Sequence, residues 1–259
     1  MSLPVGAPRP DRAAYMTELA ASSQGREYRE HLTAALDLRP GQTALDVGCG
    51  PGTNLTELIT RVTGTGRVIG VDLDPAMAGE AKRRMTGHRG VEILRADGHK
   101  LPIRDGCVDR ARVDRALQHV ASPARVISEL RRVTRPGSLV ALGEPDWATL
   151  AVDSDDLRTS ADYARYICSE VVRNASVGRQ LARLVTAAGF TVRSVQALAP
   201  LFTDFDQADR ILGLTRVSIR AIAAGYLEED RAARWLTSLR QARFLATATF
   251  FCVVAEVPA

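Results

Sequence analysis

The segment that most constrains the fold is a short apolar stretch that runs directly into a glycine-rich turn. Thr43–Val47 reads as a strand, Gly48, Gly50 and Gly52 follow at alternate positions, and apolar residues then recur at helical spacing from Leu55. Glycines between a strand and a helix let a ligand approach the backbone, and the helix N-terminus presents free N–H groups. Alone, the pattern fits either a tight turn or the start of a dinucleotide site, although the dinucleotide fingerprint spaces its glycines differently.

Strands and helices alternate along much of the remaining chain. We expect six further strands, at 67–71, 91–95, 107–113, 138–142, 190–198 and 246–256. Alternation of this kind is typical of βαβ units, so we predict an α/β fold with a mostly parallel sheet and helices on both faces. The final strand comes after a long intervening segment, and we expect it to form an antiparallel hairpin with the sixth strand.

The length and composition bound the domain organisation. We predict one domain over residues 1–259, with an N-terminal helical cap at 1–40 and helical lid insertions at 145–175 and 206–242. A content of 46% hydrophobic and 25% charged residues excludes a disordered or rod-like chain. Neither a transmembrane run nor a signal peptide is evident, so we expect a cytoplasmic protein.

Charge and cysteine usage point to no special ligand. The net charge is +4, and the arginines are scattered among the acids, which we interpret as a solvated surface because a nucleic-acid footprint would need clustering. The four cysteines and four histidines lie far apart. We therefore predict free thiols and no metal site.

Two more motifs follow the next two strands. Asp72 ends the second strand, where a carboxylate can accept hydrogen bonds from both hydroxyls of a ribose, and Ala96-Asp97-Gly98 ends the third. Asp72 alone could equally be a turn or cap residue. Because the carboxyl ends of parallel strands meet at one edge of the sheet, however, the three motifs together predict one ligand-binding cleft.

In these stretches the sequence resembles the class I S-adenosylmethionine-dependent methyltransferases. The matching segments are ALDVGCGPG at 44–52, GVDLDP at 70–75, ADG at 96–98 and VTRPG at 133–137. Within the family the chain is similar to the small-molecule branch found in ubiquinone biosynthesis and secondary metabolism. The resemblance implies a Rossmann-like, seven-stranded, mostly parallel sheet, with S-adenosylmethionine as cofactor and S-adenosylhomocysteine as product.

The resemblance also assigns residues to the methionine end of that cofactor. Asp46 would sit behind the ammonium group, and Arg115 would pass close to the sulfonium. Tyr15 could close over the carboxylate, or it could be an ordinary residue of an amphipathic helix. The methionine part itself would contact three glycines of the loop, Gly48, Gly50 and Gly52.

The ribose and the adenine would be bound at the ends of the next two strands. By the same resemblance, Asp72 would hold the ribose hydroxyls and Leu73 would lie against the adenine. Asp97 would accept a hydrogen bond from the adenine amino group, with Ala96 and Gly98 beside it.

Two residues are candidates for chemistry and substrate contact. His119 follows the fourth strand, and an imidazole exchanges protons near neutral pH, so it could act as general base or only orient substrate or cofactor. Trp147 could stack on an aromatic substrate or plug the edge of the sheet.

The predicted function is methyl transfer to O, N or C of a small apolar molecule, which we expect to be a secondary metabolite. We expect the protein to be a monomer or a homodimer. Methyl transfer needs mainly alignment and removal of one proton, because the sulfonium is already electrophilic. The alternatives are a non-methylating step, such as a cyclisation that retains the cofactor, a non-enzymatic cofactor-sensing module, and an RNA methyltransferase. Nucleic acid and membrane are disfavoured as partners.

Overall fold

The structure, a computed structural model, describes residues 23–241 and 243–259, with side chains from residue 28 onward. The predicted alternation of strands and helices is present. The elements in chain order are α1 (Ser23–Ala34), β1 (Thr43–Val47), α2 (Leu55–Val62), β2 (Arg67–Asp72), α3 (Pro75–Arg84), β3 (Val91–Arg95), β4 (Val108–Asp114), α4 (Pro123–Val133), β5 (Thr134–Val152), α5 (Leu157–Tyr166), a π-helical turn (Ile167–Val171), α6 (Val177–Ala187), β6 (Thr191–Leu198), β7 (Leu201–Phe202), α7 (Phe205–Leu212), α8 (Leu214–Ala223), α9 (Glu229–Gln241) and β8 (Ala246–Glu256).

The strands form one mixed sheet in the order β3-β2-β1-β4-β5-β8-β6. The first five strands are parallel, while β8 is antiparallel to both β5 and β6. The predicted hairpin between the sixth and last strands is thus confirmed. The sheet has eight strands rather than the predicted seven, because the two-residue β7 pairs with the first residues of β8.

The fifth strand is much longer than predicted. It extends from Thr134 to Val152, and its second half pairs with β8 after a register shift between Asp146 and Ala151. Residues 145–152 therefore belong to the sheet, and the helical part of the segment predicted as a lid insertion begins only at Leu157. The strand escaped sequence analysis because Gly143 and Pro145 interrupt its apolar pattern.

Helices outside the sheet core pack into an apolar cluster of their own. It contains α5, the π-helical turn and α7–α9, which we call the lid helices, together with the end of β5 and the start of β8. At its centre the rings of Tyr163 and Trp235 lie 5.4 Å apart, and Trp235 Nε1 donates to Ser160 Oγ at 3.0 Å. Among the described residues no helix is long and apolar enough to cross a membrane.

Candidate active site

A cavity of about 1780 Å³ lies between the carboxyl ends of β1–β4 and the lid helices. Ligand pockets in proteins usually measure about 300–1,000 Å³, so this cavity has room for two ligands. Ten of the predicted site residues form part of its wall: Gly48, Gly50, Asp72, Leu73, Ala96, Asp97, Gly98, Arg115, His119 and Trp147.

The glycine loop after β1 is fixed tightly against the neighbouring strand. The amides of Gly48 and Cys49 both donate to the carbonyl of Val71, at 2.7 and 3.0 Å. Gly48 has a φ of +77°, and a Cβ atom there would lie 2.4 Å from the Cβ of Ala116. Both the left-handed backbone and the close approach therefore require glycine. The loop brings its backbone to the cavity wall without side chains in between.

Asp72 organises this edge of the sheet. One carboxylate oxygen accepts from the amide of Gly50 at 2.8 Å, and the other accepts from the amide of Asp74 at 2.9 Å. Each carboxylate oxygen has two lone pairs, so both retain capacity for a further donor. The adjacent Leu73 exposes 62% of its surface although it is apolar, and it forms part of the cavity wall.

Asp97 lies at the next strand end in a similar arrangement. Its Oδ1 accepts from the backbone amide of His99 at 2.9 Å and lies 2.6 Å from Nδ1 of the same residue. These hydrogen bonds lower the pKa of the Asp97 carboxyl group. The carboxylate is therefore ionised at neutral pH and can accept hydrogen bonds from a ligand.

Two predicted cofactor residues do not line the cavity, and a third lies outside the described residues. The buried Asp46 carboxylate is paired with Arg112, whose Nη2 lies at 2.6 Å, so it stands behind the loop and is committed to a guanidinium. Gly52 packs against α3, where a Cβ would lie 3.1 Å from Ala81. Tyr15 precedes residue 23 and falls outside the described part of the chain.

Arg115 adopts an unusual backbone conformation at the end of β4. Its φ is +53°, a left-handed value that is uncommon for a residue with a side chain. The largely buried guanidinium pairs with Asp114, Nε to Oδ1 at 2.9 Å, and its Cζ lies 6.0 Å from the centroid of the Tyr28 ring. Strained non-glycine residues cluster at functional sites, which marks this turn as part of the site.

Tyr28 on α1 is a cavity residue that the sequence analysis did not single out. Its hydroxyl is buried without a hydrogen-bond partner among the described residues, and burial together with Asp114 raises the pKa of the phenol. A buried hydroxyl without a partner carries a free-energy cost. No local sequence signal distinguishes this tyrosine from a core residue.

Hydrogen bonds from two side chains hold the loop that carries His119 in place. Glu144, completely buried, accepts from the Leu117 amide at 2.5 Å, and Asn174 Nδ2 donates to the Leu117 carbonyl at 2.8 Å. Burial raises the pKa of Glu144 to about 8, so it is mainly neutral at pH 7. His119 itself is exposed to the cavity rather than packed against α4. The sequence analysis did not single out Glu144 or Asn174 as supports.

Trp147 reaches the cavity from β5. Its Nε1 donates to Oε1 of the buried Gln118 at 2.8 Å, which fixes the indole beside the His119 loop. Its neighbour Asp146 is buried and paired with Arg179. Within the described ranges, no three His, Cys, Asp or Glu residues lie close enough together to hold a metal ion.

Comparison with known proteins places this geometry in context. Residues 45–142 match the family described as "Methyltransferase domain". The chain is 46% identical over 247 residues to an uncharacterized 37.1 kDa protein in transposon TN4556 of Streptomyces fradiae, covering 95% of this chain and 72% of that protein.

Two further similarities concern proteins with a stated activity. The ubiquinone/menaquinone biosynthesis C-methyltransferase UbiE of Acidiphilium cryptum is 29% identical over 192 residues, covering 68% of this chain and 76% of UbiE. The crystal structure of a SAM-dependent methyltransferase from Aquifex aeolicus superposes with a TM-score of 0.59 at 17% identity, covering 97% of this chain and all of that one. At that identity the second similarity concerns the fold alone.

Proposed function

The chain belongs to the class I S-adenosylmethionine-dependent methyltransferases, and we propose that it transfers a methyl group from that cofactor to O, N or C of a small molecule. The observation that supports the small-molecule assignment is that the strand-end motifs and the lid helices line one shared cavity. The similarity to UbiE, a ubiquinone/menaquinone biosynthesis C-methyltransferase, agrees with it.

The residues of the strand ends fit the proposed cofactor. Gly48 and Gly50 line the cavity without side chains of their own, and Asp72 has acceptor capacity for a ribose. Leu73 offers an apolar surface for adenine, and Asp97 offers an ionised acceptor for its amino group. When bound, the cofactor supplies an electrophilic methyl group.

The remaining chemistry is alignment and proton removal. We assign His119 as the residue that accepts the proton of an O–H or N–H acceptor, because its side chain faces the cavity on a loop anchored by Glu144 and Asn174. Trp147, fixed by Gln118, is assigned to contact the substrate. A rigidly held loop favours a reactive geometry, since misplacement of a reacting group lowers the rate.

Titration calorimetry with S-adenosylmethionine and S-adenosylhomocysteine tests the cofactor site. Incubating the protein with isotopically labelled cofactor, demethylmenaquinone and a metabolite extract of the host strain tests the reaction. A product that carries the labelled methyl group supports methyl transfer. A cofactor-dependent product of unchanged mass would instead indicate a cyclase-like step, and absence of cofactor binding would refute the proposal.

A further inference from the structure

Three arginines of the lid segments face the cavity, Arg173, Arg216 and Arg220. Arg216 and Arg220 are one helical turn apart on α8, so they project from the same face of that helix. Arg173 follows the π-helical turn. Within residues 28–241 and 243–259 none of the three forms a hydrogen bond or an ion pair through its guanidinium group.

Three other arginines on the same lid helices are paired with carboxylates. Arg158 and Arg165 form ion pairs with Asp162, at 3.9 and 3.1 Å, and Arg231 pairs with Asp156. These arginines lie outside the cavity wall. The contrast indicates that the lid offers carboxylate partners to several outward arginines and leaves the cavity-facing cluster without one.

The carboxylates in the cavity wall lie on the opposite side and are already engaged. Asp72 accepts two backbone amides, Asp97 contacts His99, and Asp114 pairs with Arg115. The fourth, Asp74, accepts from the Ala76 amide as the N-cap of α3. Of the described residues that line the lid side of the cavity, none is an aspartate or a glutamate. The lid side is therefore positively charged.

Apolar side chains of the lid cluster line the cavity together with the arginines, among them Trp147, Val171, Phe202 and Val217. Guanidinium groups recognise carboxylate and phosphate oxygens in bidentate fashion, and the recognition is strengthened where apolar surroundings exclude water. A ligand that fits both features has an apolar body and one anionic group.

We propose that the acceptor substrate is an amphipathic anion, an apolar molecule with a carboxylate or phosphate group that Arg173, Arg216 and Arg220 bind. The inference rests on the proposed function, because it places the acceptor under the lid and the cofactor at the strand ends. Arg216 and Arg220 hold the anionic end away from the methyl donor, and the apolar body reaches toward His119 and Trp147.

The test uses octyl phosphate, octanoate and octanol as probes, measured by calorimetry on protein saturated with S-adenosylhomocysteine. We expect both anions to bind more tightly than octanol, and the tighter of the two identifies the preferred anionic group. The Arg216→Gln/Arg220→Gln variant should lose about tenfold or more of its affinity for the preferred anion, because charged hydrogen bonds are removed, and its affinity for octanol should stay unchanged.

The matched control is Arg183→Gln/Arg234→Gln, which removes the same charge from two exposed positions outside the cavity. Anion affinity should survive in this control. Equal binding of octanol and both anions, or equal losses in the two double variants, would overturn the proposal. Displacement of octyl phosphate by a single-stranded RNA with a steep salt dependence would also overturn it and assign the arginines to nucleic acid.

The two proposals fail separately in this design. Unaltered S-adenosylhomocysteine binding in the Arg216→Gln/Arg220→Gln variant shows that the protein is folded and that the cofactor site is intact. A protein that binds S-adenosylhomocysteine without preferring the anionic probes refutes the anion site alone. A protein that binds octyl phosphate but not S-adenosylhomocysteine refutes the methyltransferase proposal and leaves the arginine site in place.

Discussion

Replacement of Asp72 by alanine is the sharpest test of the cofactor site. The carboxylate accepts from the amides of Gly50 and Asp74 at 2.8 and 2.9 Å and lines the cavity. Removing it leaves a ribose without its charged acceptor and the Gly50 amide without its partner, while the amides of Gly48 and Cys49 keep their hydrogen bonds to Val71 in β2. Hydrogen bonds to charged groups contribute about 1.5–3 kcal/mol, so cofactor affinity should fall about 10- to 150-fold.

The measurement is calorimetric titration with S-adenosylhomocysteine, together with the unfolding transition of each variant. Asp72→Asn should also weaken binding, because its amide NH₂ would face one of the two backbone N–H donors. The matched control is Asp109→Ala. Asp109 also accepts a backbone amide, that of Thr43 at 2.8 Å, but it lies near the start of β4, at the opposite edge of the sheet.

Unchanged cofactor affinity in a folded Asp72→Ala protein would refute the assignment. An equal loss of cofactor affinity in Asp109→Ala would also refute the assignment. The loss would then come from a weakened sheet and not from the missing ribose acceptor. Retained affinity in Asp109→Ala with a lower unfolding midpoint is the outcome that the structure predicts.

Three further predictions concern groups around the site. His119→Ala should lower turnover about 10²–10⁴-fold in single-turnover assays if the imidazole is the base, and a loss confined to KM would contradict that role. Glu144 has a pKa raised to about 8 in the folded state, so its protonated form is favoured there. Wild-type stability should fall as the pH rises from about 4.5 to 8, by up to about 1.4 kcal/mol per pH unit, and urea unfolding of Glu144→Gln should show a flatter pH profile. Arg112→Met leaves the buried Asp46 carboxylate without its partner and should lower the unfolding free energy by about 3–5 kcal/mol. A loss below about 1 kcal/mol, typical of a surface ion pair, would contradict the burial of this pair.

The core of the site was predictable because its signals are local. Gly48, Asp72 and Asp97 each follow a recognisable strand, and a parallel sheet necessarily brings the carboxyl ends of its strands to one edge. No long-range information was needed to place these residues in one cleft. The same reasoning predicted the parallel part of the sheet and the final hairpin.

The features that the sequence did not reveal have a common physical cause, which is dependence on partners distant in sequence. Asp46 is committed to Arg112, 66 positions away, and its own motif carries no sign of that partner. The second half of β5 exists because β8 pairs with residues around Gly143 and Pro145, which by themselves argue against a strand.

The lid shows most clearly what only the tertiary structure decided. In the sequence the arginines look evenly scattered, but in the structure they fall into two groups. Some point outward, such as Arg158 with its carboxylate partner, whereas Arg216 and Arg220 face the cavity. The sequence showed that Arg216 and Arg220 are at helical spacing, but it did not show which side of the helix meets the cavity. That side is fixed by the packing of α8 through Leu214, Val217 and Ala221 against the other lid helices. The sequence by itself thus determined where the strand-end motifs meet, and the packing of the lid determined the charge that faces the cavity.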